Sequence, residues 1–191
     1  MGKIILFMHV SLDGFAAGTQ GEMNWIRVNE EIFDFVSERI AKTNTALYGR
    51  VTFEMMEGYW PTAADAPGAS KHDIEHAAWY KTAHKVVLSN TLDAAAHANT
   101  TVIGKDYATA IRQLKEATNG EILLFGSPTA AHSLLAANLV DEYWLFVNPV
   151  LLGAGKPAFK DIKEMQTLKL VNTHVFSSGV VCLGHARQQE S

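Results

Sequence analysis

Four short stretches of the sequence combine residue types that can hold phosphate: Tyr48-Gly49-Arg50-Val51-Thr52, Leu88-Ser89-Asn90-Thr91, Ile103-Gly104-Lys105-Asp106 and Phe125-Gly126-Ser127-Pro128-Thr129. Each follows an apolar run and joins glycine or a hydroxyl residue to an expected helix start. A helix start presents unpaired N–H groups and the positive end of its dipole, which together favour an anion. Arg50 and Lys105 add positive charge to two of the junctions. Gly126 allows the backbone to approach a ligand closely, Ser127 is a good N-cap residue, and Pro128 suits the first helical turn. A single junction of this kind is ordinary helix capping. Four in one small sheet point to a ligand with several phosphates, for which a dinucleotide is the natural candidate.

Other residues have two readings each. Asp13-Gly14 after a strand is a common turn, and the resemblance described below gives Asp13 a second reading. Glu30, Glu31 and Asp34 lie at the start of an expected helix, where negative charge is favoured in any case. His72-Asp73-Ile74-Glu75-His76 reads as the H-x-x-E-H pattern and on a helix would set two imidazoles on one face. It is a polar segment without a defined third ligand, so a solvated helix face is expected and no metal. Gly153-Ala154-Gly155-Lys156-Pro157-Ala158 matches a dinucleotide fingerprint on paper, but Pro157 and the missing helical run behind it make it a loop. The other six histidines are scattered and are expected in the core or on the surface. Cys182, the one cysteine, lies in an apolar run and reads as a buried, inert thiol.

The elements that must position these residues alternate. Strands are expected over Lys3–His9, Thr45–Tyr48, Lys85–Ser89, Thr100–Ile103, Glu121–Phe125 and Glu142–Val147, then Leu168–Phe176 and Gly179–Ala186. Runs such as Ile122-Leu123-Leu124-Phe125 lack polar alternation, as parallel strands covered on both faces do. Helices are expected over Glu30–Lys42, Asp106–Thr118 and Pro128–Asn138, each with an apolar stripe, and Asn119-Gly120 closes the second. Pro61–Ala69 reads as an exposed loop. Ser177-Ser178-Gly179 supplies a turn between the last two strands, which form a terminal hairpin. The fold class is α/β, a three-layer α/β/α sandwich with about eight strands, mostly parallel, and ligands are expected at the carboxyl ends of the strands.

Bulk composition sets limits on partners. The chain has 191 residues, 48% apolar and 19% charged, the balance of one globular domain over residues 1–191. Sixteen Lys and Arg against 20 Asp and Glu give a formal charge of −4. That argues against nucleic acid as a partner, which needs a surplus of cations, but leaves room for one basic pocket. No window reaches a membrane span and the N-terminal apolar run is too short for a signal-peptide core, so a cytoplasmic protein is expected.

Taken in order, Ser11-Leu12-Asp13-Gly14-Phe15, Leu47–Phe53, Val86–Ser89, Phe125-Gly126-Ser127 and Asn148–Gly155 resemble the dihydrofolate-reductase-like superfamily. The most similar branch is the reductase domain of the riboflavin-pathway bifunctional deaminase/reductase and its stand-alone relatives. The resemblance spans Lys3 to about His185. It implies NADPH as cofactor: Gly49, Arg50 and Thr52 at its phosphate region, Ser89 near the adenosine 2′-phosphate, Gly126 and Ser127 at the pyrophosphate. Lys105 and Thr129 belong to the same set of junctions. The stretch Ser11–Gly21 resembles a flexible lid over nicotinamide and substrate, and Asp13 would line the substrate pocket. The acidic residue that folate reductases carry on their first helix falls at Glu30 when aligned from Trp25, but near Phe33 when counted back from Gly49-Arg50. With one cysteine, the chain lacks the zinc deaminase domain of the bifunctional enzyme.

The resulting expectation is an NADPH-dependent reductase of a small heterocycle, either a ribosylamino-pyrimidine or a pterin, with Asp13 and Glu30 on the substrate side. The alternative is a nucleotide-binding module that kept the fold without turnover. A homodimer is expected, with Trp144 and Phe146 offering an apolar contact surface. If His72 and His76 bound zinc, the metal would co-purify. Elemental analysis of the wild-type protein and of His72→Ala is expected to find no stoichiometric zinc in either.

Overall fold

The computed structural model describes residues 1–188. At its centre is β1 (Lys3–Ser11), whose alternate side chains are buried on both faces. Ile4, Leu6, Met8 and Val10 face one helical layer, while Ile5 and Phe7 face the other. On either side run β3 (Thr45–Gly49), β4 (His84–Leu88), β5 (Thr100–Ile103), β6 (Glu121–Phe125), β7 (Glu142–Asn148), β9 (Leu168–Val175) and β10 (Val181–Arg187). The eight strands stand in the order β5-β4-β3-β6-β1-β7-β10-β9. The first six in this row pair in parallel, and β10 then runs antiparallel to both β7 and β9, closing the sheet as a hairpin. A two-stranded ribbon of β2 (Phe15–Ala17) and β8 (Lys156–Pro157) sits apart; both were too short to show in the sequence.

Helices α1 (Glu30–Ile40), α2 (Arg50–Glu57), α3 (Trp60–Ala63) and α4 (Lys71–Thr82) cover one face, and α5 (Tyr107–Ala117) and α6 (Pro128–Ala136) the other. The expected sandwich therefore holds. Two details are corrected. Part of the expected Pro61–Ala69 loop is α3, which opens with proline in its first turn. Trp144 and Phe146 supply no contact surface: they are 8% and 1% exposed, packed between the sheet and α1. The large apolar side chains exposed at this end of the sheet are Leu168, Leu170, Val171 and Val175 on edge strand β9. Among the described residues no helix is long and apolar enough to cross a membrane.

At the amino edge of the sheet two polar clusters fix the layers. Arg39, in the last turn of α1, pairs with Glu121 through both nitrogens at 2.8 and 2.7 Å and with Glu142 at 3.3 Å, over the Trp144 ring. On the opposite face the buried Lys115 of α5 reaches Asp141 at 2.6 Å and the Leu139 carbonyl at 3.3 Å. Asp141 also accepts the Ile4 amide at 2.8 Å, so one carboxylate joins helix, loop and central strand. Asp141→Ala leaves the Lys115 ammonium buried without its counter-ion, and a loss of about 3 kcal/mol is expected in urea unfolding. Lys115→Met, which removes the charge and keeps the apolar stem, is expected to lose less than half of that.

Candidate functional site

The four junctions read from the sequence stand on four neighbouring strands. In spatial order they follow β5 (Gly104), β4 (Ser89), β3 (Gly49) and β6 (Gly126), forming a row about 14 Å long at the usual strand spacing. Ser89 and Ile103 tie the outer two together through an amide-to-carbonyl bond of 3.0 Å. The inner two are joined by Ser127, whose Oγ accepts the Gly49 amide at 2.9 Å and donates to the Phe125 carbonyl at 3.0 Å. Gly49 could not carry a side chain there without crowding: an added Cβ would lie 3.3 Å from that of Ala130. Gly126 and Ser127 both have positive φ, +50° and +54°, so the chain turns sharply off β6 into α6 and leaves open space above Gly126.

Two expectations about these junctions are corrected. Ser127 stands at the N-cap position of α6 but makes no capping bond, because its hydroxyl is spent on Gly49. Ser89 does not precede an α-helix. Its Oγ accepts the Thr91 and Leu92 amides, both at 3.1 Å, in a turn that leads to a short 3-10 segment. The remaining members are accessible: Arg50, Lys105 and Thr129 are exposed and Thr52 is half-buried. Arg50 lies along α2 with Nη1 2.9 Å from both Glu54 oxygens. The first turns of α2 and α6 carry no acidic residue, while α1 and α4, which start elsewhere, carry Glu30, Glu31 and Asp73. The helix starts on the row thus keep their positive potential for an external anion, although Asp106 stands before α5 at the outer end.

Beyond the row, β1 continues past its neighbour. Its pairing with β6 ends at Phe7, where the Gly126 amide meets the Phe7 carbonyl at 2.7 Å, but its pairing with β7 runs on to Ser11. Two side chains anchor the loops over this extension. Asp13 accepts the amides of Leu152 at 3.1 Å and Gly153 at 2.7 Å, binding the turn after β1 to the glycine loop after β7. The Ser11 hydroxyl and those amides hold its carboxyl below the usual carboxylate range. Asn148, fully buried, accepts the Arg27 amide at 2.8 Å and donates to the Phe146 carbonyl at 2.9 Å. Its amide also meets His9 Nδ1 at 3.3 Å, a residue that sequence reasoning passed over as one scattered histidine. Burial lowers the His9 imidazole to about 4. Of the helix carboxylates, Glu31 is bonded to the Ser177 hydroxyl and amide, and Asp34 to Lys71 at 3.1 Å. Glu30 is exposed and has no hydrogen-bond partner among the described residues.

Residues 2–182 match the RibD C-terminal domain family. A relative, the uncharacterized protein YyaP of Bacillus subtilis (strain 168), is 35% identical over 184 residues, 94% of this chain and 92% of that one. The chain belongs to the RibD C-terminal domain family. Among solved structures, the Thermotoga maritima diaminohydroxyphosphoribosylaminopyrimidine deaminase/5-amino-6-(5-phosphoribosylamino)uracil reductase is 18% identical with a TM-score of 0.67. It is matched over 98% of this chain and 57% of its own length. Dihydrofolate reductase from Enterococcus faecalis, complexed with NADP(H), is 15% identical with a TM-score of 0.64 over 98% of both chains. Both share the fold of this RibD C-terminal domain.

The H-x-x-E-H segment of this family member is not a solvated helix face. His76 is 8% exposed and stacks on Trp60 at 3.9 Å, while His72 stacks on Phe33 at 3.9 Å. Among the described residues no group of three His, Cys, Asp or Glu side chains is arranged to hold a metal ion. The two rings join α4 to α1 and α3, and Cys182 is likewise a core residue, its thiol pushed up to about 12 by burial. Burial lowers His76 to about 3 from an ordinary 6.5, so the unfolded chain binds the extra proton between those values. His76 is neutral and compatible with the fold above pH 6.5, and stability falls as pH drops below that. His76→Phe is expected to flatten this limb, losing about 2 kcal/mol less than wild type between pH 7 and pH 5 in chemical denaturation.

Proposed function

We propose that this chain is an NADPH-dependent reductase that transfers a hydride to a small heterocyclic substrate. The two substrate classes in view are a phosphoribosylamino-pyrimidine of the riboflavin pathway and a pterin. The observation that carries the reading is the row of four junctions on adjacent strands, ending where β1 outruns β6. A row of that length, with glycines at Gly49 and Gly126 and two helix starts free of acidic residues, suits an extended dinucleotide better than a single phosphate. Family membership and the reductases that share the fold support the same reading.

In this assignment the amides at the starts of α2 and α6 hold the pyrophosphate, with Gly49, Thr52, Gly126, Ser127 and Thr129 shaping the cradle. Arg50, Ser89 and Lys105 meet the adenosine 2′-phosphate region. NADPH supplies the hydride when bound, so the chain needs no nucleophile and its task is to set two rings face to face. Asp13, with its oxygens held by two backbone amides, positions the glycine turn at Gly153–Gly155 rather than exchanging a proton. Glu30 is the carboxylate left available to contact substrate, directly or through a water that delivers the proton.

Titration of the protein with NADPH and NADH, followed by tryptophan fluorescence, tests the cofactor. Tighter binding of NADPH is expected, and Arg50→Ala and Ser89→Ala are each expected to reduce the preference over NADH about tenfold, the effect of one charge-assisted hydrogen bond. An unchanged preference in both variants refutes the phosphate assignments. Loss of NADPH absorbance with a pyrimidine and pterin panel then tests turnover. Tight binding with no oxidation by any substrate favours a nucleotide-binding module, and absence of binding to either dinucleotide refutes both.

A further inference from the structure

His9 stands on the part of β1 that extends beyond β6, in the strand alternation that puts Ile5 and Phe7 on the α1 face. Its ring lies over Phe146, with centroids 4.9 Å apart. One of its two nitrogens is fixed by the backbone. The Asn148 amide cannot be flipped: Oδ1 takes the Arg27 N–H at 2.8 Å, and Nδ2 gives one N–H to the Phe146 carbonyl at 2.9 Å and shares the other between His9 Nδ1 at 3.3 Å and the Val10 carbonyl at 3.4 Å. Reversal would set oxygen against oxygen and N–H against N–H. The group facing His9 Nδ1 at 3.3 Å is therefore a donor, Nδ1 is the acceptor, and the ring proton is on Nε2.

Nε2 has no hydrogen-bond partner among the described residues. Among the described residues the buried side-chain atoms without partners are His72 Nδ1, His76 Nδ1 and Ser178 Oγ; half-buried His9 is not among them, so its Nε2 keeps contact with solvent. A histidine serving packing alone has no need of a fixed tautomer with its N–H facing outward. We propose that His9 orients the substrate, its Nε2–H donating to a carbonyl oxygen of a planar heterocycle bound where β6 leaves β1. The ligand class rests on the reductase reading; the donor itself rests on Asn148. A neutral N–H of this kind accepts a pyrimidine carbonyl and rejects an amino group at the same ring position, because two donors would face each other.

Two probes separate these cases: diaminouracil, with two ring carbonyls, and tetraaminopyrimidine, with amino groups in their place. With NADPH present, the uracil is expected to shift the His9 NMR signals and to bind about tenfold more tightly than the amine, the worth of one hydrogen bond. Nitrogen-15 shifts are expected to show Nε2 protonated and Nδ1 bare. His9→Gln places an amide N–H near Nε2 and is expected to keep the preference, while His9→Phe loses it. An Nδ1–H tautomer, equal discrimination in wild type and His9→Phe, or no response of His9 to either probe overturns the proposal. NADPH affinity on the same samples tests the reductase reading separately, since the wild-type tautomer and the response of His9 to the uracil are readable without cofactor.

Discussion

The structure depends on an inequality between two adjacent strands. β6 stops pairing at Phe125 and turns away through two residues of positive φ, whereas β1 continues to Ser11 with β7 as its remaining neighbour. Gly126 makes the turn without steric penalty, and Ser127 accepts a left-handed conformation while its hydroxyl bonds the Gly49 amide. If β6 ran as far as β1, its backbone would pair along the β1 extension and occupy the space beside His9. The start of α6 and the approach of α6 to β3 both follow from that early turn.

Charge is distributed to match. The chain carries a net −4, yet the first turns of α2 and α6 are without carboxylates, while those of α1 and α4, which start elsewhere, carry Glu30, Glu31 and Asp73. Glu121, Glu142 and Asp141 are each engaged by Arg39, Lys3 or Lys115 at the amino edge, so these three charges are locally neutralised at the opposite end of the sheet from the row. An acidic protein can in this way keep one edge receptive to anions, because exposed charges more than about 10 Å away are screened at ordinary ionic strength.

How much of this was legible in the sequence depended on whether a local rule governed the residues. β5 and β6 had the expected bounds, and the β9–β10 hairpin and its turn were readable, since continuous apolar runs and a Ser-Ser-Gly turn leave few alternatives. The amphipathic stripes of α5 and α6 were equally plain. α4 was obscured because its buried face is built from His76, Ala77 and Tyr80, residues that look polar or neutral in sequence and become core through stacking on α3. Ser127 was recognised as important, but its bond to Gly49 joins positions 78 residues apart and has no local signature. His9 was hidden for the same reason: a histidine in an apolar run reads as a strand residue until Asn148, on another strand, is known to face it. Trp144 and Phe146 were placed at a surface because pattern alone does not reveal that α1 covers that part of β7.

The stretch between β1 and α1 is held at both ends, by Asp13 to the Leu152–Gly153 backbone and at Arg27 to the Asn148 side chain. Within it β2 is also paired with β8, so the free span is the segment between Ala17 and Arg27 rather than the full connection. A shorter tethered chain has fewer conformations to give up when it settles over a bound molecule, and the entropic cost of closure falls accordingly. Both anchors accept backbone N–H groups, so the tethering constrains this stretch without demanding particular side chains at Arg27, Leu152 or Gly153.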